Sequence, residues 1–521
     1  MSHVPHDHSQ ALRGYRAVVA AIAALLVGYG VALVAGWPQA ATARIVAERG
    51  HQADHAATGG DQQHTATPPP LWTVAPFAAL LGAIAVLPLI PALAHWWEHN
   101  RNRFLVAASM AAATLTYYLW WHVGAVERHF VSHAVVPAAG SGTSWQMGRT
   151  VLENALLVEF VPFIVLLFSL YTIAGGIRID GDLLAHPLVN VAFLAVGGLL
   201  ASFIGTTGAA MLLIRPLLDT NRERKQVAHT VVFFIFVVCN CGGLLTPLGD
   251  PPLFLGYLEG VDFLWTLRLW PSWLFVNGAL LAVYLAWDWL FAYPREAVRD
   301  RQRDERLAGQ LRVHGLALQG SLLVLLILSV ALFDPSKAVP GTSWHAWLYL
   351  REATQLGLVA VSLAAGSLAL RVANRFTFDA IIEVAALFFG IFICMQPALA
   401  ILAVRGGELG LSTPRQFFWV TGSLSAVLDN APTYLVFFQT AQALPASGQA
   451  LVAGVAEPLL AAISLGAVFM GAMTYIGNGP NFMVKAIAES SDVPMPSFFG
   501  YLLHSVLVLL PILLVNAWLF L

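Results

Sequence analysis

Gly243, Thr246, Gly249, Asp250, Pro252 and Phe254 stand in the spacing G-x-x-T-x-x-G-D-x-P-x-F. The same spacing returns at Gly471, Thr474, Gly477, Asn478, Pro480 and Phe482, with Asn in place of the acid. Both copies lie in strongly apolar surroundings, where Gly and Pro interrupt a helix while Thr, Asn and Asp bring oxygen to the interruption. Unwound backbone at bilayer depth leaves N–H and C=O groups that cost several kcal/mol each unless protein, water or an ion satisfies them. Carbonyls, hydroxyls, a carboxamide and a carboxylate together are hard ligands that suit a small cation.

Two more interruptions accompany these. Ser202, Thr206 and Thr207 break the apolar stretch 187–218, and Ser425, Asp429 and Asn430, followed by Thr433, break 415–441. Each stretch reads as a re-entrant hairpin whose arms are too short for two full crossings. Ser202, Thr206, Thr207, Thr246, Gly249, Asp250, Ser425, Asp429, Asn430, Thr433, Thr474, Gly477 and Asn478 form the candidate binding set. Thr206, Thr207, Asp250, Asp429, Asn430 and Asn478 are its candidate sodium ligands. An acid in a membrane segment costs about 2.5–3.5 kcal/mol on insertion scales and so points to function. Asp250 and Asp429 are candidates to exchange a proton for a cation. Glu159 and Glu383, one on the span before each hairpin, are candidates for proton relay, although both could equally brace the hairpin arms. A single kink of this kind is ordinary packing in membrane helices; two copies, each paired with a broken hairpin, argue for a site.

The elements that must position these residues follow from composition. Of 521 residues 58% are hydrophobic and 11% charged, against roughly a quarter charged in soluble chains. Apolar segments at 17–36, 71–94, 104–126, 151–176, 228–258, 268–291, 315–333, 347–370, 378–403, 449–488 and 497–521 predict an all-α polytopic membrane protein of about 11 transmembrane helices plus the two hairpins. The first segment follows Arg13 and Arg16 like a signal sequence, but it is long and has no convincing cleavage site, so a spanning helix is expected. Residues 1–70 comprise that helix and a polar outer loop with no evident fold. Residues 71–292 and 315–521 form two repeats joined by the charged linker 293–314. Lys and Arg near span ends favour a cytoplasmic amino terminus and a periplasmic carboxyl terminus. That orientation opens the first hairpin to the cytoplasm and the second outward, making the repeats inverted, as in alternating-access transporters.

Other classes find little support. The near-neutral balance, 27 Lys+Arg against 29 Asp+Glu, offers no footprint for nucleic acid. No phosphate-binding loop of the G-x-x-x-x-G-K-[ST] type occurs, and no nucleophile or metal cluster suggests an enzyme. Cys239, Cys241 and Cys394 lie inside apolar segments and do not form a disulfide framework. His3, His6, His8, His51, His55 and His64 fit no metal spacing and read as solvated. Arg215 and Asp219, four apart, suit an intrahelical pair, the alternative being that Arg215 holds an anionic substrate.

The segments ASFIGTTGAAMLLIRPLL, GGLLTPLGDPPLFLGYL, LDNAPTYLVFF and FMGAMTYIGNGPNFMVKAIAE resemble the NhaD-type sodium/proton antiporters and the citrate-transporter-like branch of the ion transporter superfamily, over roughly residues 71–521. The resemblance implies a dimerising scaffold and an elevator-like transport part in a bacterial inner membrane. It also implies a binding site at Ser202, Thr206 and Thr207 on one tip and Ser425, Asp429 and Asn430 on the other. Dicarboxylate carriers of that group typically use neutral tips, whereas this chain carries Asp429 at a tip and Asp250 in a break. Two carboxylates repel a di- or trianion. The expectation is therefore sodium or lithium exchanged for protons by a homodimer, without a cofactor. The alternative is sodium-coupled uptake of an anion such as citrate, a dicarboxylate, sulfate or arsenite.

Overall fold

In hydrocarbon, the helix satisfies every main-chain N–H and C=O within its own segment, and the apolar runs of this chain adopt it almost everywhere. The computed structural model describes residues 8–57, 68–131, 134–137, 143–181, 183–299, 304, 309–445 and 448–521. Among them the strands make only two-stranded ribbons. One ribbon, Arg178–Asp180 against Arg312–His314, ties the loop before the first hairpin to the end of the charged linker. The chain is a multi-pass, all-α membrane protein. Its surface is apolar where lipid would lie, with Val31, Phe499, Leu507 and Trp518 at least 64% exposed, while Asn154, Asn190, Asn277 and Asn516 are buried.

Breaks, not a lack of apolar residues, separate the observed spans from those read in the sequence. Among the described residues five unbroken helices are long and apolar enough to cross: Gly14–Val34, Trp145–Ala174, Pro187–Ile204, Trp265–Arg295 and Phe498–Phe520. There are seven if two bent pairs each count as one. The segment 71–94 is interrupted at Leu87–Leu89 around Pro88. The segment 378–403 bends by 43° between Cys394 and Gln396, beside Pro397. Leu316–Leu332 and Leu350–Ala365 stop at 17 and 16 residues. The expected helix 104–126 runs instead over Asn100–Trp120, because the polar turn at Arg101 and Arg103 is itself helical. The outer loop expected over 37–70 is corrected in its first part: Trp37–Ala57 is a helix, as its alanine content favours. His3, His6 and His64 lie outside the described residues.

The two hairpins and the two broken spans supply eight helices to the centre. In the first half α1 is Pro187–Ile204, α2 Thr206–Thr220, α3 Ala228–Val237 and α4 Pro251–Leu258. In the second half α5 is Pro414–Ser425, α6 Asn430–Gln442, α7 Glu457–Met470 and α8 Gly479–Glu489. At 18 residues, or about 27 Å, α1 is long enough to cross by itself, contrary to the expectation of short arms. The arms α2, α5 and α6 have 15, 12 and 13 residues and are short.

A buried polar cluster anchors the turn between α2 and α3. Asp288 accepts from Arg224, from His229 Nε2 at 3.1 Å and from the Tyr284 hydroxyl at 3.1 Å. Glu296 accepts the main-chain N–H groups of Lys225 at 3.0 Å and Gln226 at 2.7 Å. These contacts fix the base of the first hairpin to the end of the span Trp265–Arg295.

Candidate ion site

Helices α2, α4, α6 and α8 all begin at breaks, and local sequence explains each start. Gly205 adopts φ +80° at the tip between α1 and α2, a conformation that side chains resist. Asp250 and Asn478 precede α4 and α8 with nearly equal extended backbones, φ −139° ψ 141° and φ −152° ψ 139°, and prolines fill the first helical turns. Helix α6 starts with Asp429 as an ordinary N-cap, its Oδ1 accepting from Ala431 N at 3.1 Å. Neither Asp250 nor Asn478 caps its own helix. Their side chains point elsewhere.

Matching latches press each hairpin tip onto the break of its own half. Thr246 donates its hydroxyl to Ser202 O, and Thr474 donates to Ala426 O at 2.5 Å. The same two hydroxyls accept from Leu248 N and Ile476 N, each at 3.2 Å. Ser202 Oγ donates to Gly242 O at 2.5 Å and Ser425 Oγ to Ala467 O at 2.7 Å. Ser202, Ser425, Thr246 and Thr474 therefore hold the architecture and have these oxygens engaged. Gly249 and Gly477 are required by close approach. A Cβ on Gly249 would lie 2.0 Å from Gly243 O, and one on Gly477 would lie 2.6 Å from Gly471 O.

Asp250 is the meeting point. It is 1% exposed. Its Oδ1 accepts from Thr206 Oγ1 at 3.0 Å and from Asn478 Nδ2 at 3.0 Å, and its Oδ2 accepts from Asn430 Nδ2 at 2.6 Å. One carboxylate thus ties together a side chain from each hairpin and one from the opposite break. The helices that begin there, α2, α4, α6 and α8, bring the positive ends of their dipoles to the same place. All the donors are neutral. Asn430 Oδ1 is buried beside them without a hydrogen-bond partner.

Other candidates sit differently. Asp429, half-buried, is engaged as the N-cap of α6 and lies one residue from the cluster. Thr433 Oγ1 donates back to Asp429 O at 2.9 Å. Thr207 is half-buried beside Thr206. Glu159 lies in a π-helical turn, Asn154–Phe160, buried, with Oε1 accepting from Gln396 Nε2 at 3.1 Å and Oε2 unpartnered. Glu383 is 40% exposed and paired with Arg103 at 2.7 Å, so the structure does not bring it to the breaks or give it surroundings like those of Glu159. Arg215 and Asp219 form no ion pair but line one cavity together.

Two residues were not singled out from the sequence. Asn240 Oδ1 accepts from Asn478 Nδ2 at 3.2 Å, and Asn240 Nδ2 donates to Asn481 Oδ1 at 2.7 Å. Asn481 Nδ2 in turn donates to Gly471 O at 2.9 Å and Thr474 O at 3.0 Å, closing orphan carbonyls of the second break. Both asparagines are fully buried. The signal for Asn240 was a lone amide in an apolar run, and that for Asn481 its place three residues after Asn478 inside the second break.

No curated protein matches the chain. The broken helices and hairpins assembled above fall within a stretch, residues 66–521, that matches a family described as "Putative citrate transport", and the chain belongs to that citrate-transporter-like family of membrane transporters.

Proposed function

We propose that this protein is a secondary antiporter that exchanges sodium or lithium for protons at Asp250. One observation carries the reading. The donors and helix ends that could receive the carboxylate of an anionic cargo are already turned on a carboxylate of the chain itself, and every group that reaches Asp250 is neutral. An enclosed carboxylate in low dielectric calls for a compensating positive charge, which a proton or a small cation supplies in turn. The unpartnered Asn430 Oδ1 gives the site a way to follow that change. With the carboxylate ionised, Nδ2 donates to it; with Oδ2 protonated, a turn of the amide presents Oδ1 as acceptor. In this reading the remaining ligands of a cation are the Thr206 hydroxyl, Asn430 Oδ1, Asp429 and Thr207, since the Thr246 and Thr474 hydroxyls are engaged in the latches.

The two halves act as inverted repeats, 71–292 and 315–521. In this reading the hairpins and broken helices move as an elevator-like transport part within a homodimer of the bacterial inner membrane. The amino terminus is cytoplasmic and the carboxyl terminus periplasmic, as the Lys and Arg distribution favours. A second reading, sodium-coupled uptake of citrate or another anion, is favoured by the family's description. Reconstituted vesicles separate the two. In the first reading, added sodium or lithium dissipates an imposed proton gradient, and Asp250→Asn abolishes the signal. The variant stays folded, because Asn430 can turn Oδ1 toward the new amide. Accumulation of labelled citrate driven by sodium, with a flat proton signal, replaces the first reading with the second.

A further inference from the structure

A cavity of about 260 Å³ runs along α2 from Gly208, two residues after Thr206, to Asp219, and reaches the C-terminal end of α8. Helix α2 runs from Thr206 to Arg215 and Asp219, placing Arg215 about 13 Å along the axis from the cluster. Helix α8 starts after Asn478, and Ser490 and Ser491 beyond its last turn line the same cavity. The third wall is the ribbon at Arg178, and the fourth is the turn at Asn374 and Arg375. Three guanidinium groups from three separate elements thus converge.

Arg178 is held by Asp180 at 2.6 Å, and Asp219 supplies one further acid at the wall. Arg215 and Arg375 make no ion pair among the described residues, and Arg215 Nε is buried without a hydrogen-bond partner. The Ser490 and Ser491 hydroxyls are spent on Ile487 O. The helix ends here are C-terminal, so their carbonyls disfavour an anion, and the arginines must outweigh them. A carboxylate is satisfied by one bidentate fork; donors arriving from three directions match the oxygens of a phosphate group.

We propose that this cavity is a binding site for a phosphate group, carried either by a free solute or by an anionic lipid headgroup, with Arg215 and Arg375 as its principal ligands and Arg178 beside them. The proposal does not depend on which ion is transported. Occupancy would tie α2, and with it Thr206, to the turn at Arg375.

The test is calorimetric titration of inorganic phosphate into the full chain in lipid nanodiscs. In purely zwitterionic lipid, saturable binding is expected for the wild type, at least tenfold weaker in R215Q and in R375Q. It should be intermediate in R215K, which keeps the charge and loses the fork, and unchanged in R405Q, an exposed arginine outside the cavity. Because Arg375 is exposed, R375Q keeps the test valid even where R215Q misfolds. Repeating the titration in phosphatidylglycerol nanodiscs identifies the source. Loss of phosphate binding there assigns the cavity to a headgroup, and unchanged binding assigns it to a free solute. Absence of saturable binding in zwitterionic lipid, or wild-type affinity in both R215Q and R375Q, overturns the proposal.

Discussion

Adding one methyl group at Gly249 should cost transport far more than adding it at Gly477, and adding it at Gly479 should cost almost nothing. A Cβ at Gly249 meets Gly243 O at 2.0 Å, whereas ordinary contact begins at 3.4 Å, so one strand of the break must retreat by about 1.4 Å. At Gly477 the contact is 2.6 Å to Gly471 O and the retreat about 0.8 Å; at Gly479 nothing lies within 4 Å. All three atoms nearest a Cβ at Gly249 belong to the Gly243 backbone, so rotamer changes give no relief, and overpacking of this kind costs about 1–3 kcal/mol. Gly249 O also accepts from Thr206 N at 2.8 Å, and Asp250 follows directly. A retreat taken up on the Gly249 side displaces Asp250 and lengthens its 3.0 Å contacts from Thr206 and Asn478. Losing one hydrogen bond to an ionised group costs about 1.5–3 kcal/mol, roughly a ten- to hundredfold fall in rate when transport depends on it. Ion exchange in proteoliposomes, measured beside the melting temperature of purified protein, checks the order G249A, then G477A, then G479A. Wild-type exchange by G249A, or equal damage from G479A, would refute the claim that close backbone approach positions Asp250.

Glu159→Gln should slow ion exchange or shift its pH profile, while Glu383→Gln should leave both unchanged and cost about 1 kcal/mol in thermal unfolding, since it loses a pair whose acid is 40% exposed and whose Arg103 is 13% exposed. Arg224→Gln takes the guanidinium from the fully buried Asp288, leaving it His229 and Tyr284, and should lower stability by about 3–5 kcal/mol, read as a lower melting temperature, without changing ion selectivity in whatever protein remains folded. Asn481→Leu removes donors from Gly471 O and Thr474 O and should cost about 1–3 kcal/mol per orphaned carbonyl, with loss of exchange on the same preparation. Thr433→Val, by contrast, removes only a hydroxyl bond back along its own helix and should leave exchange near the wild-type rate.

How far the sequence could be read depended on whether a residue's role is local. Helix, break and membrane class are local properties of composition, and Gly249, Asp250, Gly477 and Asn478 could be picked out because Gly, Pro and an oxygen-bearing residue recur at one spacing in two places. The number of straight spans was less legible. Apolar content does not say where a proline bends a helix, as at Pro397, or where a polar turn such as Asn100–Arg103 joins one. Partner choice was not legible at all. Asp429 and Asp250 look alike as acids in apolar segments, yet the first caps its own helix and the second gathers donors from Thr206, Asn430 and Asn478. Glu159 and Glu383 hold matching places in the two halves, yet one is enclosed in a π-helical turn and the other reaches Arg103. These pairs separate because a repeat duplicates backbone constraints more faithfully than side-chain tasks. The latches of Thr246 and Thr474 stay equivalent, since both breaks need their carbonyls satisfied. At the centre, Asp in one copy and Asn in the other convert that equivalence into an acceptor facing a donor, 3.0 Å apart across 228 residues of chain. Two acids there would repel and two amides would leave no charge to compensate, so the mismatch between the copies leaves one carboxylate at this contact, which is what the proposed exchange at Asp250 requires.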